Sequence, residues 1–95
     1  MSDTEKDKEF YEMADAYIDV ANKQGEKNIT QGKVSATILY AAARFNTFLV
    51  ASNSESADDL ASRKEEACTF FMAEYQKMLD EHFADYIENF DKYLK

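Results

Sequence analysis

The chain reads as all-α. It has no Pro and two Gly among 95 residues, and β proteins need those residues for their many turns. It is rich in Ala, Glu, Lys, Met and Leu, which are good helix formers. Apolar residues recur at three- and four-residue steps through three long stretches. The expected architecture is an up-down bundle of three helices. The third is long or kinked, and makes four if it breaks. A single domain over 1–95 is expected, with one modest core and residues 1–6 frayed.

The first helix should begin between Thr4 and Asp7 and run to Gln24. Phe10, Met13, Ala14, Tyr17, Ile18 and Ala21 fall on one stripe. Glu5, Asp7 and Glu9 suit the positive end of the helix dipole. Gly25 is expected to stop the helix in a left-handed conformation. The polar connection GEKNIT follows. Thr30 is placed to cap the next helix, and Ile29 to staple onto Val34.

The second helix should run from Gln31 to Ala51. It contains the most apolar stretch of the chain, GKVSATILYAAARFNTFLV, with Arg44 as the one charge after Lys33. At ~100° per residue, Val34, Ile38, Ala41, Phe45, Phe48 and Leu49 share one face. Ala36, Leu39, Ala43, Thr47 and Val50 form a second, smaller apolar face. A helix apolar nearly all round is expected to be buried on several sides. The larger face should meet helices one and three. The smaller suits a close neighbour from the same chain or from a partner subunit.

The turn NSES follows, and Ser56 with Asp59 forms a capping-box pattern. From Ala57 to Leu94 no Gly or Pro interrupts the helical pattern. Unbroken, that element would be ~55 Å long, far longer than the first two. A bend around Asp80 to His82, or an overhang packed on another subunit, is therefore expected.

The net charge of −8 argues against a phosphate backbone or an anionic membrane as partner. Charge is unevenly spread. Residues 25–54 hold one acid and three bases, whereas residues 55–95 hold eleven acids and five bases. A mildly basic central helix thus lies between two acidic ones. The lone Cys68 cannot form an internal disulfide, which suits a reducing cytoplasm. The N-terminus has no apolar run and is not a signal peptide. The one stretch with the length of a membrane span contains Arg44 and Asn46, and a charge at the bilayer centre costs at least ~2.5 kcal/mol. A membrane span is not expected.

Three segments carry a resemblance: FYEMADAYIDVAN (Phe10 to Asn22), GKVSATILYAAARFNTF (Gly32 to Phe48) and EYQKMLDEHFADYIENFDKYL (Glu74 to Leu94). Together the chain resembles a family of small bacterial proteins of unknown function. The resemblance implies a compact α-helical domain and a proteobacterial source. It implies no activity, ligand or catalytic residue.

Candidate chemistry is sparse. Arg44 sits at the edge of the larger apolar face beside Tyr40, Thr37 and Phe48. A guanidinium there needs carboxylate or carbonyl partners. The favoured reading is a structural ion pair with Asp15, Asp19 or Glu74. The alternative is an anion-binding cleft with Arg44, Asn46 and Tyr40 as ligand-binding candidates. Lys33 lies ~16 Å from Arg44 along the helix, too far to share one small anion. His82 with Glu81 or Asp85 does not make a metal site: position 79 is Leu, so Glu-x-x-His is absent, and no other His exists. Cys68 is expected to be a small buried hydrophobe. The acidic third region reads as a solvated face before it reads as a docking surface for a basic partner. No catalytic residue, metal or cofactor is expected. The function expected is a non-enzymatic interaction protein, a homo-oligomer or the partner of another protein. It should bind no nucleic acid and no membrane.

Overall fold

A computed structural model describes residues 6–95, and the chain is all-α. The order is α1 (Lys8–Gly25), α2 (Gln31–Ser52), α3 (Ala57–Glu88) and α4 (Phe90–Leu94). The chain divides into two compact units, one running to Thr47 and the other spanning Phe48–Lys95. The expected fraying of residues 1–6 falls almost wholly outside the described residues.

Each helix start has a local cause. Asp7 caps α1, its side chain accepting from the Phe10 amide at 2.9 Å. The Thr30 hydroxyl accepts from the Lys33 amide at 3.2 Å and so caps α2 as the sequence suggests. Ser56 accepts from the Asp59 amide at 3.1 Å at the head of α3. The reciprocal bond of this box reaches one residue further back than usual: Asp59 Oδ2 accepts from the Glu55 amide at 2.9 Å. Arg63 then closes on the same carboxylate, one turn on, at 3.2 Å.

Two expected breaks move. Gly25 is still helical and does not take a positive φ. The last turn of α1 tightens instead, with the Glu26 amide donating to the Lys23 carbonyl and the Lys27 amide to that of Gln24. The left-handed residue is Asn28, at φ 59°, a side chain that tolerates this conformation. At Asp80 to His82 the helix does not break, since α3 continues through 32 residues to Glu88. The break comes at Asn89, at φ −110° and ψ 28°. There the Asn89 side-chain amide donates to the Asp85 carbonyl at 3.2 Å and to Asp85 Oδ1 at 2.8 Å. Such side-chain bonding competes with the continuing helix.

The expectation of a deeply buried second helix is corrected. Val34, at 8% exposure, is the one buried hydrophobe among the described residues. Phe45 and Phe48 on the larger face stay 62% and 61% exposed, and Leu39 on the smaller face 48%. Apolar composition demands cover, but it does not say that the cover comes from the same chain. Cys68 is likewise exposed rather than buried.

Candidate functional site

The site the sequence singles out lies on α2. This helix carries two bases, Lys33 and Arg44, and no acid. Both of its threonine hydroxyls turn back on its own backbone. The Thr37 hydroxyl donates to the Val34 carbonyl at 2.8 Å, and that of Thr47 to the Ala43 carbonyl at 2.8 Å. Each bond satisfies the hydroxyl internally, so these residues offer the helix surface little hydrogen-bonding appetite. The result is a helix more apolar on its outside than its sequence suggests.

Tyr40 and Arg44 stand one turn apart, about 40° around the axis, and Lys33 falls on the same edge. This edge separates the two apolar faces. Asn46 is about 200° from Arg44 and occupies the opposite edge. The structure therefore groups Tyr40 with Arg44 and leaves Asn46 out of the set.

Arg44 is exposed and makes no ion pair among the described residues. Two of the acids considered as its partners are engaged elsewhere. Asp19 pairs with Lys23 at 3.2 Å and Glu74 with Lys77 at 3.5 Å, each within one helix turn. The structural ion pair expected for Arg44 is thus not formed among the described residues.

The other candidates assemble no reactive centre. His82 and Cys68 are exposed, and no group of three or more His, Cys, Asp or Glu among the described residues could hold a metal. Two ionisable groups depart clearly from their ordinary values, and both do structural work. The Glu55 amide and then the Arg63 guanidinium hold the Asp59 carboxyl low. The Asp85 carboxylate, as hydrogen-bond acceptor and as nearby charge, pushes the Tyr93 phenol up. Sequence reading missed the Asp85–Asn89–Tyr93 cluster. Its signal was present as Asn four residues after Asp on a helical stretch without Pro or Gly.

Among the described residues, α2 is the one helix long and apolar enough to cross a membrane by length and composition. Arg44 lies ~4 Å along the axis from its midpoint, where a charge is most costly in a bilayer.

The family model for a protein of unknown function, DUF3144, matches residues 10–87. The chain belongs to DUF3144. All of α1 from Phe10, all of α2 and nearly all of α3 lie inside the match. This bears out the resemblance carried by the three sequence segments. A solved structure of a similar protein, NB7890A from Shewanella sp., determined by NMR, is 36% identical with a TM-score of 0.77. The likeness covers 97% of this chain and 95% of that one, and it supports the all-α fold over the full length. No curated protein matches the chain. Nothing in the DUF3144 match points to catalysis.

Proposed function

We propose that this DUF3144 chain is a non-enzymatic interaction protein that associates with itself in the cytoplasm. The observation that carries the reading is the exposure of α2. A helix apolar on two faces holds a single buried residue, Val34, and exposes Ile38, Leu39, Phe45, Phe48 and Leu49. Water penalises such a surface at roughly 25 cal/mol per Å² of apolar area. Contiguous exposed apolar patches on soluble proteins mark interaction sites. A second copy offers the same patch, and closed pairing of identical chains is the commonest route to covering it. Sedimentation equilibrium at micromolar concentration tests the reading. An association that strengthens with concentration supports it, and a strict monomer overturns it. Flotation with phosphatidylcholine vesicles is the control. Capture of the protein by the vesicles would replace self-association with membrane binding.

A second reading rests on Arg44, an exposed cation with no ion pair among the described residues. It makes the Arg44 and Tyr40 edge a site for a small anion. Inorganic phosphate should then raise the melting temperature of the native chain and not that of Arg44→Ala, since a ligand stabilises by RT ln(1 + [L]/Kd). Equal responses would remove this reading.

A further inference from the structure

From the charges along the helices we infer that α2 of one copy seats against α3 of a second copy, giving two equivalent α2–α3 seams in a closed dimer. The inference rests on the self-association just proposed and names the surfaces. α2 carries two bases and no acid, while α3 carries nine acids and three bases. Pairing α2 with α2 would set bases against bases, and pairing α3 with α3 would set a net −6 against itself. α2 against α3 brings the most strongly opposed helix charges together, since α1 holds four acids and two bases and so a weaker negative charge, and like-charge juxtaposition across an interface is costly.

The apolar surfaces match this arrangement. Met72 and Phe83 on α3 are 70% and 65% exposed. With Cys68, Tyr75 and Tyr86 they span about one quarter of the helix circumference. Glu65 falls on the border of that strip and carries no ion pair among the described residues. Arg44 borders the apolar faces of α2 in the same way. The α2 strip is thus bordered by bases, and the α3 strip by Glu65 on one edge and Lys64 on the other, so the Glu65 edge is the one that suits Arg44.

The size is also adequate. A 22-residue helix is ~33 Å long and ~10 Å across, so one side projects ~330 Å². Two seams give each copy ~660 Å² of projected contact. The accessible area exceeds the projection, and a standard interface buries ~800 Å² per partner.

The test uses two charge-reversed full-length chains, each checked for helix content by circular dichroism. One carries Lys33→Glu and Arg44→Glu on α2. The other carries Glu65→Lys and Asp80→Lys on α3, both on the same flank of the apolar strip. In the dimer described, each reversed chain alone meets like charge in both seams, whereas a mixed dimer meets opposite charge in both. Sedimentation equilibrium should show each chain alone associating at least about tenfold more weakly than wild type. Their equimolar mixture should regain association to within about threefold of wild type. If wild type associates but the mixture is no tighter than its components, the α2–α3 seam is wrong and self-association stands. If wild type is monomeric, both fall. Should either multiply substituted chain lose helix, Arg44→Glu and Glu65→Lys replace the sets with the same expected pattern.

Discussion

The Tyr93 hydroxyl donates to Asp85 Oδ2 at 3.0 Å across eight residues, spanning the break between α3 and α4. The Asn89 amide holds the other carboxylate oxygen at 2.8 Å, and the Tyr86 and Tyr93 rings stack with centroids 4.6 Å apart. One carboxylate thus ties a five-residue helix, too short to persist alone, to the end of a long one. Replacing Asp85 with Ala should release both donors and let α4 fray. Amide hydrogen exchange at Lys92 and Tyr93 should then speed up several-fold, while exchange in the middle of α3 stays unchanged.

The same bond sets an alkaline limb. The Asp85 carboxylate accepts from the Tyr93 phenol and raises its pKa above 10.0. A raised phenol pKa means that the fold favours the protonated form. Its contribution is complete below the unfolded value near 10.0 and is lost as pH climbs through the higher folded one. An NMR titration should find Tyr93 ionising at higher pH in the unmodified chain than in Asp85→Ala.

An acid limb comes from the head of α3. The Glu55 amide, and after it Arg63, hold the Asp59 carboxyl below 3.8. This favours the charged form in the fold. The contribution is present above the unfolded value near 3.8 and is lost as pH falls through the lower folded one. Asp59→Asn should flatten the pH dependence of the melting temperature in that range. Ser56→Ala, which removes the neighbouring cap, should cost ~1 kcal/mol at neutral pH, readable by urea denaturation.

Gly25 and Asn28 respond in opposite directions. Gly25 lies in the last turn of α1 without a positive φ, and nothing within 4 Å would meet an added Cβ. Gly25→Ala should therefore stabilise by ~0.5–1 kcal/mol. Asn28 sits at φ 59°, where Cβ is disfavoured and Asn is one of the few tolerated side chains. Asn28→Ala should destabilise, and Asn28→Gly should not. Thermal melts of the three variants decide this. Loss of stability in Gly25→Ala would restore the left-handed stop that the sequence suggests.

The caps and helix bodies were legible because they depend on residues three or four apart. Thr30 and Ser56 bond the amides their spacing implies. The end of α1 was less legible, because Gly25 and Asn28 both suit a left-handed step and only three-dimensional context selects between them. The break at Asn89 was hidden for another reason. It depends on three side chains meeting at Asp85, with no Gly or Pro to announce it. In the candidate site, the shared edge of Tyr40 and Arg44 followed from helical angle. The same angle places Asn46 opposite, so grouping all three was never consistent with one helix. The exposure of α2 was beyond the reach of composition, which records that apolar residues need cover and not which chain supplies it.

Self-association is tested most directly by sedimentation equilibrium of the unmodified chain across the micromolar range at neutral pH. The average mass should rise with concentration from the 10.9 kDa of one chain toward twice that value. A mass that stays at one chain throughout would contradict self-association and leave the apolar faces of α2 without the partner proposed for them.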